Sequence, residues 1–268
     1  MKKTLMTVAM VSILVANHAA ADSKIYTEND MFWGDDLSCE NDENGQEVLC
    51  ESPAFDGNTG APLVGTLQHY DENGTLQWEQ EYKNGKKDGY ARSYNENGKL
   101  IAESQYTHNL RTGKEVTYHP NGLVMSEYRY KDGRLEGKAV RLDDEGTLIA
   151  EENYKNGKKD GVQKTYYEKI GILMSEENYI NGKRNGIRKI YSKKGLLREE
   201  ASFKDDYLDG KVKNYDEAGN KVLGVRVFKA GKLISCWIYD EQGNKIIMKI
   251  KQENKTIPSK TVNATNKR

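Results

Sequence analysis

Residues 65–88 read Gly-Thr-Leu-Gln-His-Tyr-Asp-Glu-Asn-Gly-Thr-Leu-Gln-Trp-Glu-Gln-Glu-Tyr-Lys-Asn-Gly-Lys-Lys-Asp, and the pattern then starts over at Gly89. The same frame opens at Gly65, Gly89, Gly113, Gly137, Gly161, Gly186 and Gly210, in steps of 24 residues with a single step of 25. The longer step carries its extra residue in Tyr166-Tyr167-Glu168-Lys169-Ile170-Gly171, where an insertion in a turn absorbs it. A period of this size marks a stacked repeat architecture, in which one unit is too small to bury a core alone.

Each unit reads as two strands. Turn pairs recur along one edge as Asn97-Gly98, Asn121-Gly122, Glu145-Gly146, Lys194-Gly195 and Ala218-Gly219, and along the other as Asn84-Gly85, Asp132-Gly133, Asn156-Gly157 and Asn181-Gly182. Asn-Gly between strand-like runs is a strong hairpin signal, because glycine accepts the positive φ that the turn demands. Helical repeats need runs of ten or more residues without such breaks, and turn chemistry interrupts this chain every eight to twelve residues. The expected fold is therefore all-β, an elongated antiparallel β-meander or solenoid of about seven 24-residue hairpin repeats.

Two-residue alternation predicts the faces. Leu76 and Tyr82 fall on one side, as do Leu100 with Tyr106, Val124 with Tyr130, Leu148 with Tyr154, Leu173 with Tyr179, and Leu197 with Phe203. Glu79, Glu103, Glu127, Glu151, Glu176 and Glu200 fall on the other. If the first turns are glycine-bulge hairpins, Tyr70, Tyr94, Tyr118, Tyr166, Tyr191 and Tyr215 join the Leu/Tyr side as cross-strand neighbours. On that register Arg92, Lys164, Lys189 and Lys213 lie away from the glutamates and leave room for an acidic stripe, although mixed, solvated charge is the preferred expectation. Replacing a central Tyr130 with Ala is expected to cost about 3 kcal/mol.

The recurring Tyr-x-x-x-Gly-x-Leu-x-x-Glu-x-x-Tyr pattern, followed by Asn-Gly-Lys and Gly, resembles the MORN-repeat-variant family, whose bacterial members include proteins labelled YwqK-like antitoxins. The resemblance covers roughly residues 57–243. It implies a β-repeat scaffold and, through the label, a toxin as partner; related eukaryotic repeats imply phospholipid binding more loosely.

The ends differ from the array. Lys2 and Lys3, the apolar run from Leu5 to Ala16 and Ala19-Ala20-Ala21 read as a signal peptide over residues 1–21, cleaved between Ala21 and Asp22. The apolar run is too short to span a membrane, so a soluble periplasmic or secreted protein is expected. Residues 22–64 read as an irregular cap in which Cys39 and Cys50 flank a turn-rich segment and are expected to form a disulfide. The array then runs over 65–250. Residues 251–268, with five basic residues and one acidic, read as a disordered polar tail.

Charge and composition narrow the function. Lys+Arg and Asp+Glu are equal at 41 each, so no overall field recruits nucleic acid. Hydrophobic content of 36% is too low for two large compact cores, and 17 Tyr against 4 Phe suits half-buried strands. His69, His108 and His119 stand singly, without metal-ligand spacing, and read as solvated strand or turn residues. Cys236 reads as a small buried side chain. Nucleophile elbows, phosphate-cradling loops and dinucleotide fingerprints do not occur. One glutamate repeated six times marks a ladder better than a catalytic pair. The reading is a non-enzyme with no cofactor, no metal and no small-molecule substrate. It binds a protein partner, with an immunity or antitoxin-like role as the sharper form. The alternative is an envelope protein that contacts lipid or peptidoglycan.

Overall fold

The computed structural model describes residues 25–27, 31–33 and 54–249. The expected disulfide of Cys39 and Cys50, the Ala21/Asp22 cleavage site and the 251–268 tail lie outside the described residues. Ahead of the array are β1 (Ile25–Thr27), β2 (Met31–Trp33) and β3 (Ala54–Asp56). The meander begins with β4 (Gly65–Tyr70), β5 (Leu76–Lys83), β6 (Lys86–Tyr94), β7 (Leu100–Thr107), β8 (Leu110–Tyr118) and β9 (Val124–Lys131). It continues through β10 (Arg134–Leu135), β11 (Gly137–Leu142), β12 (Leu148–Lys155), β13 (Lys158–Lys159), β14 (Gly161–Tyr166) and β15 (Leu173–Ile180). It ends with β16 (Lys183–Arg184), β17 (Gly186–Tyr191), β18 (Leu197–Lys204), β19 (Tyr207–Tyr215), β20 (Val222–Lys229), β21 (Lys232–Tyr239) and β22 (Lys245–Ile247).

Twenty of these strands make one open sheet in which successive strands pair antiparallel, as the repeat predicts, with the short β10, β13 and β16 lying against the same partners, β9, β12 and β15, as β11, β14 and β17 that follow them. The exception is β1, which adds parallel to β4 with Tyr26 opposite Leu67. The stretch read as an irregular cap thus contributes a strand to the sheet. Strands β2 and β3 form a separate pair. No helix occurs among the described residues.

Two kinds of turn alternate. At the first edge Asp71 accepts the N–H of Gly74 on its carbonyl and those of Asn73 and Thr75 on its carboxylate, and Gly74 takes φ 81°. This is a tight turn closed by a left-handed glycine, and Asn95, Asp143, Ser192, Asp216 and Asp240 brace the later copies with the same side-chain bond. At the second edge both central residues have positive φ, as at Asn84 (52°) and Gly85 (73°), which is the two-residue turn that matches strand twist. His108-Asn109, Asp205-Asp206 and Ala230-Gly231 adopt the same turn without an Asn-Gly or Asp-Gly signature. The 24-residue spacing was the signal that could have found them.

The second-edge turns stack on one another. The N–H of Gly85, Asn109, Gly133, Gly157, Gly182, Asp206 and Gly231 donates to Leu63, Lys87, Arg111, Leu135, Lys159, Arg184 and Leu208 of the preceding unit. Where the turn glycine is absent, Asn109 and Asp206 use their side chains to accept the N–H of Lys87 (2.6 Å) and Arg184 (2.9 Å) as well. Satisfied backbone groups, not a thick core, carry the contact between repeats.

The repeat-opening glycines sit at irregularities in pairing: two extra residues enter between Gln80/Ala91 and Tyr82/Lys87, and the same offset recurs in later units. Gly89, Gly113, Gly137, Gly161, Gly186 and Gly210 all have positive φ there. Each lies opposite an aromatic residue, Tyr106, Tyr130, Tyr154, Tyr179, Phe203 and Phe228 in turn, as Gly65 lies opposite Tyr82. The ring covers backbone that glycine leaves bare.

The bulge beside each first turn overturns one expectation. Tyr70 does pair with Leu76, but Gln77 is inserted in the following strand, so His69 pairs with Trp78. Ile101, Met125, Met174, Arg198 and Leu223 are the corresponding insertions. Alternation counted from Leu76 to Tyr82 crosses this extra residue, so the two do not share a face. Tyr70, Tyr94, Tyr118, Tyr166, Tyr191 and Tyr215 keep the parity of their own strands and lie on the glutamate side. Hydroxyl bonds from Tyr94 to Glu79 (2.9 Å), Tyr166 to Glu151 (2.9 Å) and Tyr215 to Glu200 (2.8 Å) fix this placement.

Candidate functional site

With the faces corrected, the sheet has a charged side and an aromatic side. A transverse row on the charged side runs Glu79, Arg92, Glu103, Val116, Glu127, Val140, Glu151, Lys164, Glu176, Lys189, Glu200 and Lys213, each opposite the next. Arg92 pairs with Glu79 (3.1 Å) and Glu103 (2.6 Å), and Lys213 with Glu200 (3.1 Å). Beside the two valines, Lys114 and Lys138 reach Glu127 and Glu151 diagonally. The acidic stripe is therefore absent: Arg92, Lys164, Lys189 and Lys213 lie among the glutamates, and the row is the mixed-charge zipper.

Burial opposes ionisation of Glu79, yet the bonds from Gln68, Tyr94 and Arg92 win and hold its carboxyl below the usual range. Glu200 is held low in the same way by Tyr215 and Lys213. Glu151 is held low first by its bond from Lys138 and then by Tyr166. Burial, together with the bond to Glu79, pushes Tyr94 up to about 12. Most carboxylates of this row are thus already engaged by cations of the sheet.

The aromatic side is different. Next to each ring, on the following strand, stands a cation or a leucine: Lys87 opposite Tyr82, Arg111 opposite Tyr106, Leu135 opposite Tyr130, Lys159 opposite Tyr154 and Arg184 opposite Tyr179. Arg111 bridges two repeats. It donates to the hydroxyls of Tyr106 (3.0 Å) and Tyr130 (3.4 Å), lies over the Tyr130 ring (5.4 Å) and pairs with Glu115 (2.8 Å). Lys87 lies over Tyr106 and Lys159 over Tyr179. The result is a line of rings and cations across the strands.

Between β5 and β8 this line forms one lip of a groove of about 510 Å³. Its floor is small: Ala91, Ser93, Ala102, Ser104 and Thr117. Its walls are large: Trp78, Tyr82, Lys87, Tyr106 and Arg111. Small residues in the middle of adjacent strands leave a trough that the rings at the strand ends border. His69, read as solvated, stacks instead on Trp78 at 5.6 Å and stiffens that wall. His119 is half-buried with Nε2 near the Leu142 carbonyl, and His108 is exposed in a turn. Cys236 is a free, half-buried thiol.

Of the residues singled out from sequence, Tyr82 and Tyr106 reach the groove, Gly89 and Gly113 shape the strands beneath it, and the glutamates stay on the far side. Sequence reasoning missed the floor and the cations. The only signal for Ala91, Ser93, Ala102 and Ser104 is their smallness at facing positions, which acquires meaning only once the register is known. Among the described residues no group of three or more His, Cys, Asp or Glu is placed to hold a metal ion. The family model described as MORN repeat variant matches residues 63–84, 87–108, 111–132 and 135–156. No curated protein matches the chain.

Proposed function

Four consecutive MORN-variant repeats make up residues 63–156, and from that premise we propose that the protein is an exported, non-enzymatic scaffold that captures another protein on its aromatic face. The observation that carries this reading is the trough between β5 and β8, where a floor of alanine, serine and threonine is bordered by rings and cations. Aromatic and arginine side chains are the residues that dominate binding energy at protein interfaces. The trough is open along its length and continues into the line of rings on later repeats, which suits an extended protein segment better than an enclosed small molecule. The mixed-charge side supports the same choice, since Glu79, Glu103, Glu127, Glu151 and Glu200 are already held by lysines and arginines of the sheet. An immunity role against a toxin is the narrower form of the proposal, and its support is the resemblance of the repeats.

The test fills the trough. Ala102→Trp places an indole on the floor without touching the stacked turns, so the melting temperature should change little. A partner retained by the wild-type chain should be lost by this variant; equal retention by both rules out the groove. Co-sedimentation with liposomes or with peptidoglycan sacculi separates the envelope reading, because a protein-capturing scaffold stays in the supernatant.

A further inference from the structure

The rings that border the trough recur with a period that a bound chain would have to match. Tyr82, Tyr106 and Tyr130 hold the same place in successive repeats, each two strands on from the last. Adjacent strands lie about 4.8 Å apart, so one ring follows another every ~9.6 Å across the sheet. The cations between the rings agree with that spacing. The Arg111 guanidinium lies 6.0 Å from the Tyr106 ring centre and 5.4 Å from that of Tyr130. Lys87 stands likewise, opposite Tyr82 and 5.5 Å from the Tyr106 ring centre. The trough runs across β5 to β8, beside this line.

A segment lying in the trough therefore crosses the strands and meets the rings in turn. An extended β-strand returns to one face every two residues, about 6.7 Å, and is out of step by the second ring. A polyproline II helix has three residues per turn at 3.1 Å each, about 9.3 Å, and stays in step over three rings. An α-helix returns to one face after seven residues, about 10.5 Å, but its backbone is bonded internally and makes no use of what stands beside the rings. Those neighbours are donors. Lys87 and Arg111 carry only N–H groups, and Trp78 adds an indole N–H. Of the carboxylates at the trough, Glu115 is held by Arg111 at 2.8 Å and Glu79 by Arg92 at 3.1 Å. Walls that offer donors and keep their carboxylates engaged suit a backbone of carbonyls without N–H groups, which is what proline presents. Sugar hydroxyls donate as well as accept and would compete for those carboxylates, so a polysaccharide is matched less well.

We propose that the trough takes a proline-rich segment in the polyproline II conformation, laid across the strands with one helical turn per repeat and a proline against each of Tyr82, Tyr106 and Tyr130. The proposal rests on the capture of a protein partner and names the kind of segment captured. The rings pack on pyrrolidine faces, the small floor of Ala91 and Ala102 admits the chain, and Lys87 and Arg111 donate to its carbonyls. Leu135 replaces the cation beside Tyr130, so the run of donors stops at the third ring. A preformed helix loses little conformational freedom on docking, which offsets the shallowness of an open site.

Fluorescence anisotropy of labelled oligoprolines against the full chain tests this. Affinity should rise about tenfold from three residues to six and again from six to nine, as each turn reaches another ring, and level off at twelve. Seven and eight residues should behave as six, and a Gly-Ser peptide of nine residues should not bind. Tyr106→Ala should weaken the nine-residue probe about tenfold. Arg111→Leu, which copies what the next repeat carries at Leu135, should weaken it about fivefold. Ala102→Trp should abolish binding, and Tyr215→Phe on the charged side should leave it unchanged. Oligoproline that fails to bind, binds without the three-residue steps, or binds Ala102→Trp as it binds wild type overturns the proposal. A trough that takes a hexamer of N-acetylglucosamine in place of oligoproline overturns it too. The capture reading fails separately, because it depends on whether Ala102→Trp loses a retained partner, whatever the sequence of that partner.

Discussion

The repeats around Tyr106 and Phe203 share one backbone and one register but not one chemistry. Tyr106 lies opposite Gly89 and Arg111, and Phe203 opposite Gly186 and Leu208. In the first, the ring keeps a hydroxyl for Arg111 and borders an open trough. In the second, Phe203 joins Ala201, Val212 and Phe228 in a cluster sealed by Leu208 and Leu233. Arg184 covers the Phe203 ring from the preceding repeat at 4.7 Å. Stacked turns and glycine bulges therefore hold the array whichever side chains occupy the face, leaving those positions free to be wet and open in one region and dry and cohesive in another.

The largest expected contrast comes from truncating the two rings. Phe203→Ala removes a ring that is 5% exposed and should cost about 4 kcal/mol, whereas Tyr106→Ala, half-buried at the trough, should cost about 1.5 kcal/mol. Denaturant titration reads both, and equal losses would erase the distinction between the regions. Tyr130 is also half-buried, so the 3 kcal/mol expected from sequence falls toward the Tyr106 value.

Glycine substitutions sharpen the same contrast. A Cβ on Gly210, at φ 115°, would lie 2.9 Å from the Ser202 Cβ, whereas one on Gly137, at φ 81°, meets nothing within 4 Å. Gly210→Ala should cost about 3 kcal/mol and Gly137→Ala about 1 kcal/mol, measured as loss of unfolding free energy.

The smallest effect is ionic. The carboxyls of Glu79, Glu151 and Glu200 are held low in the folded chain, so their contribution is complete above the unfolded value near 4.5 and disappears as pH falls through the lower folded values. Tyr94 is raised from 10 to about 12, so its contribution is complete below pH 10 and disappears as pH rises through 12. Each partly exposed pair is worth under about 1 kcal/mol. A melting-temperature profile should be flat between pH 5 and 9 and decline on both sides; Glu79→Gln should flatten the acidic decline slightly, and no change there would remove Glu79 from the ionic account.

Much of this was legible from residues alone. The 24-residue period, the turn pairs and the glycines declare themselves because a left-handed backbone is a local demand that few side chains meet, so strands and their order follow from composition. Three second-edge turns escaped because His108-Asn109, Asp205-Asp206 and Ala230-Gly231 meet that demand with residues that do not advertise it. The faces escaped for another reason. One inserted residue such as Gln77 reverses the parity of everything before it on its strand, and its position depends on how the neighbouring strand pairs. Only the assembled sheet could place Tyr94 beside Glu79, set Arg92 between two glutamates and bring Ala91, Ala102 and Arg111 around one trough, because those relations are contacts between strands and no single strand contains them.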